Sequence, residues 1–400
     1  MSASTPAVLK DIRVLDFGRY VAGPYCATLL GYLGADVIRI ERRDGGEDRY
    51  IAPVASGGEG GVFFQTACNK RSLTLDLTKP QARGVLRRLV ASADVVVANL
   101  PPAQLRAFGL DYPSLREIRR DIILTSQSAF GAHGPYAQRG GFDGVGQAMS
   151  GAMYISGRPG EPVKAAAPYV DYATATLSAF GTLAALMHRQ RTGEGQAVEA
   201  TLLGTALAVF GSHLVEQSVT DIDRSGSGNR VQTSAPSDVF ATGDGHLLLH
   251  VVGNGLFRRW AKLMGDTDRW LNDPRYASDA GRGEHSEALL TRTREWCATR
   301  TTHGAINELE AAGIPAGPVL RPREALEDPQ VAALGLLAEV ADFPGLQRPA
   351  RVPGLPLHFS ATPGGVRSRP PLLGEHTDAI LASLGFAAEE IAGLRAAAVV

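Results

Sequence analysis

Short runs of aliphatic and β-branched residues alternate with helical segments through the N-terminal third of the chain. Residues 13–17, 35–41, 72–77, 94–98 and 122–126 have the pattern of strands, and residues 24–33 and 80–92 have the pattern of helices. A strand, helix, strand order predicts parallel strands joined by right-handed crossovers. The predicted fold class is therefore α/β, with a Rossmann-like large domain built on a parallel sheet.

Ligands of such sheets bind at the carboxyl ends of the strands. The candidate binding loops are therefore 18–23, 41–48, 99–102 and 126–134. The first loop reads GRYVAGP, which separates Gly18 from Gly23 by bulky side chains and lacks the G-x-G-x-x-G turn of dinucleotide-binding folds. A nicotinamide cofactor is not expected. Arg42 and Arg43 after the second strand suit an anionic ligand, although a solvated loop explains them equally well.

The charge balance gives no reason to expect nucleic acid or a membrane surface as partner, because 40 Lys and Arg residues face 41 Asp and Glu residues. The three cysteines have no paired spacing, so neither a metal site nor a disulfide framework is expected. The N-terminus lacks the pattern of a secretory signal, and no apolar run reaches the length of a membrane span. These features predict a cytoplasmic protein.

Asp171 lies where a Gly- and Pro-rich segment, residues 131–168, meets the apolar helical run of residues 173–187. A carboxylate at a loop-to-helix junction can be held rigidly and remain open to a ligand, which makes it a candidate nucleophile. The alternative is that Asp171 only caps the helix, since Asp is a preferred N-cap residue.

The second half of the chain predicts a smaller domain. Residues 221–233 are polar and glycine-bearing and read as a linker. Residues 238–252 read as a hairpin with Asp244 and Gly245 in its turn, followed by helices at 256–264, 286–298 and 302–312. The predicted division is a large domain over 1–220, a linker over 221–233, a small α+β domain over 234–330, and a segment over 331–400 that returns to the large domain.

Five segments in order resemble one family: LDFGRYVAGPYCATLLGYLGADVIRIERR, CNKRSLTLDLTKPQARGVLRRLV, FGAHGPYAQRGGFDGVGQAMSGAM, AALMHRQRTGEGQAVEATLL and PLLGEHTDAILASLGF. They are similar to the class III CoA-transferases, the CaiB/BaiF family of formyl-CoA transferase and carnitine CoA-transferase. The resemblance implies transfer of coenzyme A from an acyl-CoA to a free carboxylic acid through a covalent aspartyl intermediate. It identifies Asp171, in APYVDYATAT, as that aspartate, with CoA and acyl-CoA as substrates and no tightly bound cofactor.

The resemblance also places a set of residues at the CoA site: Val21, Ala22, Arg42, Leu75, Thr78, Asn99, Leu100, Arg106, Arg139, Gly140, Phe142 and Asp143. It implies that the backbone of Val21 and Ala22 contacts CoA, that Arg42 meets a phosphate, and that the Leu75–Thr78 segment lies beneath the adenine. Three positions depart from the family pattern, and at one of them Ala103 replaces a glycine. Leu100 replaces an aromatic residue, and Ala107 stands where the family has an arginine, so that Arg106 substitutes only if the backbone shifts.

Three interpretations remain open at this point. Asp143 is either near the nucleophile or only the cap of a helix that begins near Gly144. The α-methylacyl-CoA racemases share this fold, but they place a histidine where this chain has Phe142. The general base that a racemase needs is therefore missing at this position. A CoA-binding protein without turnover is the remaining alternative.

The resemblance further implies a homodimer of interlocked subunits. The glycines of the 253–255 segment have the position of a loop that closes over the intermediate in formyl-CoA transferase, although a plain turn before a helix explains them better. The substrate is open. Arg19, Arg139 and Arg158 suit the distal carboxylate of a diacid, whereas Tyr25, Tyr154 and Phe142 suit an apolar acyl chain.

Overall fold

The computed structural model of the protein describes residues 7–400, and these form two compact units. The first contains the chain up to Ser150 together with Ala165–Thr220 and Pro329–Val400, and the second contains Gly151–Lys164 and Asp221–Asp328. The short segment Gly151–Lys164 therefore packs with the second unit, although it lies within the stretch that the sequence assigned to the large domain.

Eleven strands occur within the described residues. In chain order they are β1 Arg13–Asp16, β2 Asp36–Glu41, β3 Lys70–Thr74, β4 Val95–Ala98, β5 Ile123–Ser128, β6 Ala197–Thr201, β7 Ser237–Ala241, β8 His246–His250, β9 Ala316–Pro318, β10 Leu337–Val340 and β11 Ala350–Pro353.

The described residues also contain nineteen α-helices. In chain order they are α1 Ala22–Tyr32, α2 Gly61–Ala67, α3 Ala82–Ala91, α4 Pro102–Phe108, α5 Tyr112–Ile118, α6 Asp143–Met149, α7 Ala152–Ser156, α8 Tyr169–Thr192, α9 Leu202–Val209, α10 Gly211–Thr220, α11 Gly253–Met264, α12 Thr267–Leu271, α13 Asp279–Glu284, α14 Glu287–Ala298, α15 Thr302–Ala311, α16 Pro322–Glu327, α17 Pro329–Ala333, α18 Thr377–Ser383 and α19 Ala388–Ala396.

The first unit is built on a six-stranded sheet in the order β3-β2-β1-β4-β5-β6, with every neighbouring pair parallel. This confirms the predicted parallel sheet of an α/β fold. The strand order reverses between β1 and β4, which is the position where ligands of doubly wound sheets bind.

Both faces of this sheet are buried, as a parallel sheet requires. Alternate strand residues such as Leu15 and Ile38 enter a core with α3, α5, α18 and α19. Their neighbours Val14 and Val37 enter a second core with α1 and α8 on the opposite face. The near-continuous apolar strands noted in the sequence are therefore explained by burial from two sides.

The third strand is shorter at its end than predicted. It ends at Thr74, and Leu75 donates its N–H to the Glu41 carbonyl at 2.7 Å. Asp76 then accepts hydrogen bonds from the N–H and the hydroxyl of Thr78, at 3.0 and 2.6 Å. A side chain that bonds the backbone two residues on makes a turn, and this turn ends the strand.

The second unit has its own apolar core around a three-stranded antiparallel sheet in the order β7-β8-β9. The hairpin turn between β7 and β8 contains Asp244 and Gly245, and the Asp244 carboxylate also accepts the N–H of Thr302 at 2.7 Å.

Within residues 7–400, no helix combines the length and the apolar character needed to cross a bilayer. No group of His, Cys, Asp or Glu in that part of the chain has an arrangement that could hold a metal ion.

Candidate active site

The loop after β1 is held by a buried ion pair. Asp16 accepts the Gly18 N–H at 2.8 Å, and Lys70 Nζ donates to Asp16 Oδ2 and to the Pro24 carbonyl oxygen, at 2.7 Å each. A Cβ atom at Gly18 would lie 2.6 Å from Pro24 Cδ, so only glycine fits there. Since Asp16 and Lys70 are both buried, the loss of either one would leave an uncompensated charge in the core. The loop conformation is therefore set before any ligand binds.

Asn99 clamps the same loop from the end of β4. Its Oδ1 accepts the Arg19 N–H and its Nδ2 donates to the Arg19 carbonyl oxygen, both at 2.7 Å. The next residue, Tyr20, has φ of +62°, a left-handed backbone conformation that is costly for a bulky side chain. Asn99 was predicted to contact CoA, but both polar atoms of its amide are used to hold this strained loop.

Val21 and Ala22 lie at the start of α1, at the carboxyl end of β1. Their side chains are buried, so any contact with a ligand must come from the backbone, as the resemblance implied. No side chain caps this helix start. The N–H groups of the first turn of a helix attract anionic or carbonyl oxygens, and here they lie at the reversal point of the sheet.

Asp171 is the third residue of α8, which begins at Tyr169 with Pro168 in the N-cap position. The interpretation of Asp171 as only an N-cap is therefore wrong. The Asp171 carboxylate makes no hydrogen bond or ion pair with any part of the chain between residues 7 and 400. A carboxylate that is mostly removed from water without a partner is energetically costly, and such costs concentrate at functional sites.

The capping function belongs to Asp143. Its Oδ1 accepts the N–H groups of Val170 and Asp171 at 2.7 and 3.2 Å, while Gln147 Nε2 donates to its Oδ2 at 2.5 Å. The Gln147 Oε1 in turn accepts the Ala165 N–H at 3.0 Å. Asp143 does not cap its own helix α6, whose N-cap is Phe142, so that alternative is also wrong. Asp143 instead fixes the helix turn that carries Asp171.

Burial raises the pKa of Asp171 from 3.8 to about 7, and the negative charge of Asp143 adds to the effect. The protonated form of this carboxyl group therefore persists to higher pH than that of an ordinary aspartate. Burial likewise raises the pKa of the adjacent Tyr172 to about 12, with smaller contributions from Tyr25 and Asp171, so Tyr172 remains neutral. A poorly solvated carboxylate is a stronger nucleophile than one in water.

Two aromatic pairs lie beside these groups. The Tyr172 ring meets the Tyr25 ring edge to face at 4.9 Å, and its hydroxyl donates to Gln65 Oε1 at 2.5 Å. The Tyr20 ring meets the Phe142 ring in the same geometry at 5.3 Å. Phe142 is exposed and carries no group able to transfer a proton. The contact between Tyr172 and Gln65 was not predicted, because the two residues are far apart in the sequence.

The remaining predicted basic residues are on the surface. Arg42 Nη2 donates to the Gly45 carbonyl oxygen at 3.2 Å, and the guanidinium also pairs with Asp44. Arg139 lies over the Tyr136 ring at 4.1 Å. Arg106 and Gly140 are exposed as well. These groups are accessible to a ligand.

Leu75 and Leu100 are placed differently, because the Leu75 side chain belongs to the core and Leu100 packs against that core. The end of the same segment borders a cavity of about 250 Å³, whose polar lining comes from Thr78, Lys79 and Arg83. Ala107 also lines it, together with two cations, Arg83 from α3 and Lys79 from the preceding loop.

The second unit has a larger open groove of about 720 Å³, lined by Arg269, Trp270, Arg275, Tyr276, Glu284, His285, Ser286, Glu287, Ala288, Thr291, Arg292 and Glu295. None of the predicted site residues lies there, and its three arginines are balanced by three glutamates, so it has no preference for an anionic ligand.

The 253–255 segment begins helix α11. The Gly253 N–H donates to Asp279 at 2.9 Å, and Arg282 Nη1 donates to Asn254 Oδ1 at 2.9 Å. These bonds anchor the segment to α13 within the second unit. The segment is therefore the first turn of the helix itself, three residues earlier than the sequence predicted the helix to begin.

Comparison with known proteins gives a consistent result. The family model for CoA-transferase family III matches residues 9–377. The succinyl-CoA–D-citramalate CoA-transferase of Chloroflexus aurantiacus is 33% identical and covers 100% of both chains. The succinate–glutarate CoA-transferase of Agrobacterium fabrum is 34% identical over 94% of this chain and 95% of that one.

The crystal structure of a CaiB/BaiF family protein from Brucella suis has a TM-score of 0.81 and 31% identity, and it covers 93% of this chain and 98% of that one. The match of the family model, the identity of the relatives and the shared fold all extend over nearly the whole chain. The chain therefore belongs to the class III CoA-transferase (CaiB/BaiF) family and is a CoA-transferase.

Proposed function

We propose that the protein transfers coenzyme A between dicarboxylic acids through covalent intermediates on Asp171, with succinyl-CoA as the donor to test first. The observation that carries the proposal is the unpaired carboxylate of Asp171, largely removed from solvent in the first turn of α8. The donor is suggested by relatives named for succinyl-CoA or succinate. Arg19, in the loop clamped by Asn99, is a candidate for the distal carboxylate of such a substrate.

The reaction proceeds in four successive nucleophilic substitutions, each at a carbonyl carbon. An Asp171 oxygen attacks the thioester carbon and expels the CoA thiolate, which forms an acyl-aspartyl anhydride. The thiolate then attacks the Asp171 carbonyl, forming an aspartyl-CoA thioester and releasing the donor acid. The acceptor carboxylate attacks the same carbonyl to give a new anhydride and free thiolate. Attack of that thiolate on the acyl carbonyl yields the new acyl-CoA and regenerates Asp171.

Each tetrahedral intermediate carries an oxyanion that needs hydrogen-bond donors. The uncapped N–H groups at the start of α1, next to Val21 and Ala22, are suited to this role because the strained loop before them is already fixed by Asn99 and Asp16. The role of Asp143 is to hold the backbone of Asp171 in place. It acts through the helix rather than on the substrate.

The proposed intermediate is tested by trapping. Succinyl-CoA is added to the protein without acceptor acid, the mixture is quenched with hydroxylamine, and peptides are analysed by mass spectrometry. We expect an aspartyl hydroxamate at Asp171 alone. The matched control is Asp143→Asn, which keeps Asp171 and should still show the adduct. Turnover by the wild-type protein without any adduct at Asp171 would rule out the covalent path.

We further propose that the cavity beside Thr78 binds the adenosine phosphate end of CoA, with Arg83 and Lys79 in place of the arginine that Ala107 replaces. Arg83→Gln should raise KM for the CoA ester about tenfold and leave kcat unchanged, because a charged hydrogen bond to phosphate is lost. Arg87→Gln, on the same helix but outside the cavity lining, is the control. If both variants had the same KM for the CoA ester, the phosphate of CoA would not bind in this cavity.

We also propose that two copies of the chain form an interlocked homodimer. Helix α8 is apolar on its outer side as well as on its sheet side. Its outward residues Leu177, Phe180 and Met187 are exposed, Phe180 by 71%, and Val215 and Val219 on α10 are exposed too. A helix that is apolar on all sides is normally buried, and large apolar side chains exposed along one side of a helix indicate an interface.

An interlocked dimer should not dissociate into folded monomers on dilution. When the purified protein is diluted to nanomolar concentration, fluorescence-detected sedimentation should show dimer and no folded monomer, since each subunit closes around the other. A folded monomer at this concentration would contradict interlocking. A dimer that is unaffected by Phe180→Glu would move the interface away from α8.

A further inference from the structure

Three fully buried polar side chains between β5 and α8 have no partner for their hydrogen-bonding groups. Gln127 is 2% exposed, and Thr174 and Ser178 are 0% exposed. Both amide atoms of Gln127 and both hydroxyl oxygens lack a hydrogen bond to any of residues 7–400. Buried polar groups in folded proteins are nearly always paired, either with protein or with ordered water.

The packing of α8 on the sheet brings these three residues together. A hydrogen bond of 2.6 Å between the hydroxyls of Thr125 and Thr182 sets the alignment of helix and strand. Because α8 returns the chain from β5 to the parallel strand β6, it runs antiparallel to β5. Two residues along the strand, about 6.6 Å, bring Gln127 level with Ser178, one helical turn before Thr182. Thr174 lies one further turn towards the helix start.

This polar row leads to Asp171. With about 100° of rotation per residue, Thr174, Ser178 and Thr182 all lie within about 60° of the direction of Asp171 around the helix axis. Helical side chains lean towards the N-terminus, so the Thr174 hydroxyl covers the turn that carries Asp171. The unpaired groups are therefore on the sheet-facing side of the proposed nucleophile.

We propose that Gln127, Thr174 and Ser178 form an internal hydration site whose bound water solvates the sheet-facing side of the Asp171 carboxylate. The inference rests on the proposed role of Asp171. The chemistry of the site selects water, because an amide and two hydroxyls offer both donors and acceptors to one small molecule. None of the three side chains carries the charge that a metal ion would require.

The site has a clear consequence for reactivity. The titratable groups that interact with Asp171 are Asp143 from α6 and Tyr172 from α8, and the Tyr25 ring of α1 lies against Tyr172. None of these is a cation, so the water of the hydration site stabilises the ionised form of Asp171. Removing the site makes Asp171 harder to ionise, which moves the acid limb of its reaction to higher pH.

The first test is structural. A high-resolution crystal structure of the wild-type protein without CoA should show water density within hydrogen-bond distance of the Gln127 amide and of at least one of the two hydroxyls. Gln127→Leu should lose that density. A dry, closed contact between β5 and α8 in the wild-type protein would overturn the proposal.

The second test is kinetic and uses the protein without acceptor acid. The rate of Asp171 acylation by succinyl-CoA is measured against pH in single turnovers. Gln127→Leu should shift the acid limb upward by on the order of one pH unit, and the milder Ser178→Ala in the same direction, while Thr176→Val, on the exposed side of α8, should not. Bound water with an unshifted acid limb would overturn the link to Asp171. A wild-type protein that never acylates Asp171 would overturn the proposed function, but the crystallographic test would still stand.

Discussion

Replacing Asp171 with asparagine is expected to lower kcat for CoA transfer on the order of 10⁴-fold or more, since the covalent path is lost as a unit. Asparagine keeps the size of the side chain and the backbone bonds to Asp143. Its amide is not a nucleophile that can form an anhydride. The measurement is steady-state transfer from succinyl-CoA to glutarate, followed by chromatography of the CoA esters.

The matched control for this experiment is Asp111→Asn. Asp111 caps α5 by accepting the Ser114 N–H, and asparagine caps a helix about as well. The control should therefore retain full activity. In the wild-type protein, kcat/KM should rise with pH and level off above about 7, because Asp171 must be ionised to attack. Retention of more than a tenth of the wild-type kcat by Asp171→Asn would refute the mechanism.

The same substitution is expected to stabilise the fold at alkaline pH. The pKa of Asp171 is about 7 in the folded protein against its ordinary value of 3.8, so the folded state holds the proton more tightly. Between these two values the free energy of unfolding falls as pH rises, and above pH 7 the full penalty applies. That penalty is at most about 4 kcal/mol, and asparagine does not have it.

The measurement is thermal unfolding of both proteins at equal concentration, at pH 8 and at pH 4.5. Asp171→Asn should unfold at a higher temperature than the wild type at pH 8, and the difference should become smaller at pH 4.5, where the folded wild-type carboxyl is protonated. Asp143→Asn removes the neighbouring negative charge but also weakens the cap of α8, so it serves as the contrasting variant. A difference that does not depend on pH would show that the Asp171 carboxylate is well solvated.

Together these two results would separate catalysis from folding at one side chain. A group that is costly to the fold and necessary for the reaction is the expected signature of an active site. The cost in folding free energy arises because Asp171 lies on the same side of α8 as the residues that this helix buries. The benefit arises because a carboxylate with little solvation and no partner is free to attack.

The hydrophobic pattern was sufficient to predict five of the six strands of the parallel sheet in the first unit. Segments such as 13–17 and 35–41 form β1 and β2 within one residue of the predicted bounds. Strands buried on both faces must be apolar throughout, so they can be recognised as continuous apolar runs in the sequence. The short edge strand β6 escaped prediction, because its residues alternate between polar and apolar and only the pairing with β5 selects the extended form.

The candidate site was predictable only where one residue carries the chemistry. The position of Asp171 between two kinds of sequence, together with the family resemblance, was enough to single it out. The partners that give it its properties were not deducible. Asp143 caps α8 instead of its own helix, and Asn99 holds the loop after β1 through both polar atoms of its amide.

By itself, the sequence determined the parallel α/β sheet and the family and indicated Asp171 as the candidate nucleophile, because periodic burial and family motifs are visible in short segments of a chain. Only the tertiary structure decided that Asp171 is largely removed from solvent, that Asp143 and Gln147 brace its helix turn, and that Gln127 and Ser178 are buried without hydrogen-bond partners. These properties depend on which residues from distant segments become neighbours. Desolvation and hydrogen bonding act through space over a few ångströms, and the order of residues along the chain does not specify such distances.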